Sequence, residues 1–184
     1  MRAVMALSGG MDSTALLVRL ISQGYKVSCL SYDYGQKHKI ELERAKENIR
    51  YLAENGYNIE HKVADLSSAM SIFSSALTSD EIDVPEGHYE EEQMKSTVVP
   101  NRNAIFSSIL YGYALSISEE EDADVVIALG VHSGDHAIYP DCRPEFYKSI
   151  GESFALGNWG SERVSFHLPY IDGDKETILR DSLV

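Results

Sequence analysis

At 184 residues the chain is long enough for one domain with its own hydrophobic core, and not obviously for two. Its 43% apolar and 24% charged residues make an ordinary globular balance, and no apolar run approaches the roughly 18 residues that span a bilayer. A net charge of −13 without clustered Lys and Arg argues against a tightly held nucleic acid, while leaving room for a small anion cradled by backbone N–H groups.

Residues 2–7 read as a buried strand, without the longer apolar region and small-residue cleavage site of a signal peptide. A helix is expected from Asp12 to Gln23, with Gly24 as its C-terminal cap residue. Lys26–Tyr32 reads as a second strand, and residues 37–54 as a long charged helix with apolar positions near a 3.6 period. Gly56 ends that helix, and Tyr57–Ala64 makes a third strand. Residues 66–99, rich in Ser, Asp and Glu, hold Pro85-Glu-Gly87 and the acidic run Glu90-Glu91-Glu92; a mobile insertion is expected here, either functional, such as a lid, or disordered. A helix over Asn103–Ser118 and a strand over Asp124–Leu129 follow. After a Gly-containing loop come a helix around Pro144–Leu156, a short strand near Val164–His167 and a helix opening near Asp174. The alternation predicts a single α/β domain over 1–184, a Rossmann-like parallel sheet with helices on both faces and ligands beyond the carboxyl ends of the strands. Two cysteines far apart, Cys29 and Cys142, suggest free thiols in a reducing compartment, with the cytoplasm as the default.

The chemistry begins straight after the first strand, at Ser8-Gly9-Gly10-Met11-Asp12-Ser13-Thr14. Two glycines let the backbone approach an anion, successive N–H groups line the turn, and a helix N-terminus adds its positive dipole. Ser8, Ser13 and Thr14 add hydroxyl donors. Asp12 would repel phosphate unless a cation stands between them, which implies Mg²⁺. The pattern has neither the Gly-Lys-Ser/Thr end of a Walker loop nor the Rossmann G-x-G-x-x-G. The plain alternative is a Gly-rich turn with Asp12 or Ser13 as an N-cap.

These seven residues resemble the pyrophosphate loop of the N-type ATP pyrophosphatases, enzymes that split ATP between the α and β phosphates and attach AMP to a substrate oxygen. Further segments resemble one branch, the 7-cyano-7-deazaguanine synthase family. They are Tyr32-Asp33-Tyr34-Gly35-Gln36-Lys37-His38, Ser75-Ala76-Leu77-Thr78, Val99-Pro100-Asn101-Arg102-Asn103, Tyr139-Pro140-Asp141-Cys142-Arg143-Pro144-Glu145-Phe146, and the Pro169–Lys175 stretch. The resemblance runs through essentially the whole chain in order. It implies an adenine nucleotide alpha hydrolase-like fold and a ligase that joins 7-carboxy-7-deazaguanine to ammonia at the expense of ATP, giving the nitrile of the queuosine pathway through an amide.

On this resemblance Ser8, Gly9, Gly10, Ser13 and Thr14 are expected to hold pyrophosphate, with Tyr32 beside the nucleotide and Asp12 on Mg²⁺. Arg102 and Lys175 are candidates to neutralise charge on the phosphates as it builds. Asn103 joins Arg102 on the substrate side. Asp141 or Glu145 would accept hydrogen bonds from the purine-like N1–H and 2-amino edge, Arg143 would pair with the substrate carboxylate, and Phe146 would stack on the base. Blander readings stand beside these. Lys175 also reads as a solvated lysine, Asp141 as a turn residue, and Tyr32 and Tyr34 as packing residues. His132 and His136 flank Gly134-Asp135 without a third ligand nearby, so a metal there is not expected; Phe106, Tyr111 and Tyr113 read as core.

The family ordinarily carries a C-terminal cluster of four cysteines that binds structural zinc, whereas no cysteine follows Cys142 here. The resemblance therefore implies zinc and a homodimer, while this chain is expected to fold and bind ATP without the metal. Two alternatives stay open: another adenylating enzyme of the same fold, such as a tRNA-modifying one, and a nucleotide-binding relative without catalysis.

Overall fold

In the computed structural model the described residues are 1–36, 40–73, 75, 98–136 and 139–182. Lys37-His38, Ala76-Leu77-Thr78 and most of the 66–99 segment, with its acidic run, lie outside them. Five strands, β1 (Arg2–Ala6), β2 (Lys26–Asp33), β3 (Glu60–Asp65), β4 (Val125–Ala128) and β5 (Val164–His167), form one sheet in the order β3-β2-β1-β4-β5. Every pairing is parallel, with Ala3 level with Val27 on one side and with Val126 on the other.

The helices are α1 (Met11–Ser22), α2 (Ile40–Glu54), the short α3 (Ser67–Met70), α4 (Arg102–Glu121), α5 (Pro144–Gly157) and α6 (Lys175–Asp181). Because side chains of a strand alternate between faces, β1 feeds two cores. Ala3, Met5 and Leu7 pack with Leu16, Leu17 and Leu20 of α1, Ala45 of α2 and Ile178 of α6. Val4 packs on the other face with Leu110, Ala114 and Ile117 of α4 and Tyr147 of α5. Burial on both faces explains why β1 reads as one continuous apolar run.

The third strand starts later than the sequence suggests. Gly56, at φ +87°, lets the end of α2 wrap back. The Gly56 amide then donates to the Ala53 carbonyl and the Tyr57 amide to that of Leu52, at 3.1 and 2.9 Å. Tyr57 thus still closes the helix by a Schellman motif, and pairing begins at Glu60. Gly24 ends α1 with the same pair of bonds. β3 is an edge strand with exposed Glu60 and Lys62, charges that protect an edge from further pairing. Among the described residues no helix is long and apolar enough to cross a membrane.

The strand order reverses at β1. The chain moves from β1 outward to β2 and β3, then returns across it to β4 and β5. Loops leaving β1 and β4 therefore diverge, and a crevice opens beyond their carboxyl ends.

Candidate active site

That crevice is a cleft of about 550 Å³, within the size range of small-ligand sites. One wall is the loop after β1, with Ser8, Asp12 and Ser13. The opposite wall brings Arg102, Asn103 and Phe106 from the first turns of α4, and Lys175 stands at the start of α6.

The loop is ordered by its own hydroxyls. The Ser8 amide and the Ser8 hydroxyl both meet Ser13 Oγ, at 3.2 and 3.0 Å, and the Gly10 amide donates to Ser8 Oγ at 3.2 Å. Gly9 has φ +80°, and α2 lies directly on it: a Cβ at Gly9 would stand 2.5 Å from the Glu41 carbonyl oxygen and 2.6 Å from the Ala45 amide nitrogen. Thr14 is engaged elsewhere. Its hydroxyl donates to the Gly10 carbonyl at 2.7 Å and accepts from Asn48 Nδ2 at 2.9 Å, so it ties α1 to α2 and is not part of the cleft lining. The N-cap of α1 is Gly10, with no side-chain cap, and Asp12 sits inside the first turn. Asp12 is therefore not a helix cap. Its Oδ1 is buried with no hydrogen-bond partner among the described residues, and leaving such an oxygen unmet costs about 1–3 kcal/mol or more. An anionic oxygen of this kind is the ligand type a hard cation takes, so Asp12 would suit Mg²⁺.

On the far wall, Asn101 takes the left-handed conformation at φ 58° and turns the chain from Pro100 into α4. Arg102 follows at once, its guanidinium carbon 5.7 Å above the Tyr139 ring. Burial works against its charge, but Tyr34, Tyr139 and Asp141 outweigh that and hold the pKa above the ordinary guanidinium value. Tyr32 stacks on Phe106 with centroids 3.9 Å apart, and its hydroxyl donates to the Phe106 carbonyl at 2.9 Å. Gln36, almost fully buried, accepts from the Tyr34 amide and donates to the Tyr32 carbonyl, fixing both tyrosines at the cleft.

The Tyr139–Phe146 segment divides. Cys142 and Tyr139 line the cleft, as does Tyr147 just beyond the segment. Asp141 accepts from the Asn103 amide at 3.2 Å, and Asn103 Nδ2 donates to the Asp141 carbonyl and to Cys142 Sγ, both at 3.3 Å. Asp141 thus fastens the start of α4 to this turn. Arg143 and Glu145 are exposed, and Arg143 Nε donates to the His136 carbonyl at 2.8 Å. Phe146 packs edge-on to Tyr147. None of Arg143, Glu145 and Phe146 belongs to the cleft lining, whereas Tyr147, in the same first turn of α5, does. Burial pushes the Cys142 thiol up to about 12, so it is no ready nucleophile.

Among the cleft residues to which the sequence gave no role are His132 and Asp135. His132 lies at the end of the loop after β4, and Asp135 follows three residues later. The faint signal was the spacing His132-Ser133-Gly134-Asp135 after a buried strand. This loop is also tied to the last helix, since the Ser133 amide donates to the Gly173 carbonyl at 2.8 Å, two residues before Lys175. α6 is held in turn by the capping box of Asp174 and Thr177 and by Asp181, which accepts from Arg19 at 2.9 Å and from Tyr170 at 2.5 Å.

A parallel sheet with a Gly-rich, hydroxyl-bearing loop at its switch point, a carboxylate oxygen without a partner among the described residues and a guanidinium across the cleft make an α/β protein with a small-ligand cleft at the carboxyl ends of its strands. The chain belongs to the QueC family: residues 2–183 match the family model described as queuosine biosynthesis protein QueC. It is 46% identical over 183 residues to 7-cyano-7-deazaguanine synthase 2 of Colwellia psychrerythraea, covering 99% of this chain and 78% of that one. To 7-cyano-7-deazaguanine synthase of Hahella chejuensis it is 47% identical over 182 residues, covering 99% and 74%. In fold it is similar to a predicted subunit of tRNA methyltransferase from Methanocaldococcus jannaschii, with a TM-score of 0.58 at 16% identity, covering 100% of this chain and 74% of that one.

The zinc ligands that the resemblance implied are a different matter. The chain has two cysteines, Cys29 in the core beneath α1 and Cys142 at the cleft, and among the described residues no three His, Cys, Asp or Glu side chains gather to hold a metal. These residues do not fit zinc.

Proposed function

We propose that this chain is a carbon–nitrogen ligase that converts 7-carboxy-7-deazaguanine and ammonia to 7-cyano-7-deazaguanine with ATP, in the cleft between β1 and β4. The observation that carries the reading is the loop after β1, which opens on the cleft with Asp12 Oδ1 buried and unmet, in a chain of the QueC family.

A carboxylate resists ammonia because oxide is an intolerable leaving group. Attack of the carboxylate oxygen on the α-phosphorus of ATP expels pyrophosphate and gives an acyl adenylate. Ammonia then forms the C–N bond, AMP leaves, and the amide remains. A second ATP then adenylates the amide oxygen, expelling pyrophosphate as one N–H proton leaves, and departure of AMP with the second N–H proton leaves the nitrile. Ser8 and Ser13, which line the cleft, are the donors for the departing pyrophosphate, with the Gly9 amide beside them, while the Gly10 amide orients the Ser8 hydroxyl. Asp12 would hold Mg²⁺, which when bound neutralises phosphate charge. Arg102 from α4 and Lys175 from the start of α6 supply positive charge to the cleft, and such preorganised donors commonly contribute 10²- to 10³-fold each. The aromatic side of the cleft, with Tyr32 against Phe106 and Tyr34 and Tyr139 around Arg102, suits a flat heterocycle. With Arg143 outside the cleft, Arg102 is the guanidinium placed to meet a carboxylate, and Asn103 and Asp141 support it.

Incubation with ATP, ammonium and the 7-carboxy compound, followed by mass spectrometry and nucleotide chromatography, tests this reading. The nitrile with AMP and pyrophosphate is expected. ADP as the only nucleotide product would overturn it.

A further inference from the structure

The imidazole of His132 is almost fully buried, at 2% exposure, yet it sits at the cleft rather than in either core. Its Nδ1 accepts a hydrogen bond from the Gly134 amide at 3.1 Å, which places the ring proton on Nε2. That Nε2–H faces two carboxylates at once, with Asp12 Oδ2 at 3.5 Å and Asp135 Oδ2 at 3.6 Å. Asp12 therefore has one oxygen facing a fixed donor and the other, Oδ1, buried without a partner among the described residues.

Two glycines make this arrangement possible. A Cβ on Gly130 would lie 3.2 Å from the backbone of Asp12, so the loop after β4 passes tightly across the start of α1. A Cβ on Gly134 would lie 2.9 Å from His132 Cε1 and 3.0 Å from Nδ1, so only a residue without a side chain lets the ring reach that amide.

Resting on the reading of Asp12 as the Mg²⁺ residue, we infer that His132 is a positioning residue that orients the Asp12 carboxylate, presenting Oδ1 to the cation and sharing Oδ2 with the field of Asp135. The logic is that of a second group fixing a ligand's rotamer, a role whose loss commonly costs 10- to 100-fold in metal affinity. His132 acts through Asp12 and touches neither phosphate nor base.

The test measures Mg²⁺ binding, without turnover, by titrating Mg²⁺ into the chain saturated with α,β-methylene-ATP and following heat. His132→Leu removes the donor and is expected to weaken Mg²⁺ at least tenfold. His132→Gln keeps an N–H at the reach of Nε2 and is expected to restore affinity to within about threefold. Melting temperatures of the two variants should be alike, since both replace the ring by an unbranched or singly branched side chain of similar size. Unchanged Mg²⁺ affinity in His132→Leu would overturn the inference, as would equal weakening in both variants, which would make the ring a packing element. If His132→Leu does not fold, Gly134→Ala decides, because it displaces the intact ring; it should weaken Mg²⁺ tenfold, and unaltered affinity would overturn the inference. A wild-type chain that binds Mg²⁺ in this His132-dependent way but makes no nitrile would sink the substrate assignment alone. A chain that makes nitrile while His132→Leu binds Mg²⁺ normally would sink this inference alone.

Discussion

Replacing Gly9 by alanine would place a methyl group where α2 already stands. Its carbon would lie 2.5 Å from the Glu41 carbonyl oxygen and 2.6 Å from the Ala45 nitrogen, both backbone atoms that cannot swing aside. Two costs follow. The left-handed backbone at φ +80° is worth about 1–2 kcal/mol against a residue with a Cβ, and forcing extra volume into packed structure adds about 1–3 kcal/mol. The sum, about 2–5 kcal/mol, is a large part of the ~5–15 kcal/mol that holds a typical domain. At ~2–4 °C per kcal/mol for a chain of this size, melting should fall by roughly 4–20 °C. Gly24 supplies the control, with φ +78° and nothing within 4 Å of its added Cβ, so Gly24→Ala should show the backbone cost alone. Urea denaturation of both variants separates the contributions. If Gly9→Ala costs no more than Gly24→Ala, the packing of α2 on the phosphate loop is wrong, and the reason given for that glycine falls with it.

Asp12→Asn should lower Mg²⁺-dependent turnover by roughly 10²–10³-fold while changing stability by no more than about 1 kcal/mol, the worth of an acidic residue in a helix's first turn; equal losses of activity and stability, read from kinetics beside thermal melts, would refute the site assignment. Arg102→Lys should raise the KM for the 7-carboxy compound by about tenfold or more, because a lysine cannot reproduce the guanidinium fork beside Tyr139. Arg143→Lys, exposed and outside the cleft, should change that KM by less than about threefold, as surface substitutions usually do; the reverse ranking in steady-state assays would return the carboxylate role to Arg143. The hydrogen bond from the Ser28 hydroxyl, followed by that from Lys62, pulls Glu60 down to about 2 from 4.5. A carboxylate depressed on folding contributes stability that is whole above its unfolded pKa and lost as pH falls through the folded one. Glu60→Gln should therefore flatten the loss of stability between about pH 4.5 and 2, and since Glu60 is half exposed the effect should be small and shrink with salt.

Local sequence determined much of this protein. The run Ala3–Leu7 with no polar break requires a strand covered on both faces, and the two cores on either side of β1 bear this out. Strand and helix alternation fixes a parallel sheet, and Gly24 and Gly56 fix where α1 and α2 stop, because a left-handed residue closes a helix by bonds spanning only six positions. The turn Ser8–Thr14 at the start of α1 is legible for the same reason, since the hydrogen bonds of its hydroxyls to Ser8, Gly10 and Ser13 join neighbours within seven residues. Direction is what the sequence does not carry. Arg143, Glu145 and Phe146 stand inside the most distinctive segment, yet they fall on the side of the first turn of α5 that does not line the cleft, while Tyr139, Cys142 and, from that same turn, Tyr147 do. Thr14 sits within the phosphate loop, and only the arrival of Asn48 from α2 shows that its hydroxyl is spent on helix packing. His132 and Asp12 are far apart along the chain, and no periodicity links them. They meet because β4 lies beside β1 in the sheet, so that the loops leaving the two strands open onto one crevice. Pairing between distant strands is decided by the packing of the whole domain, and the geometry of the site is decided with it.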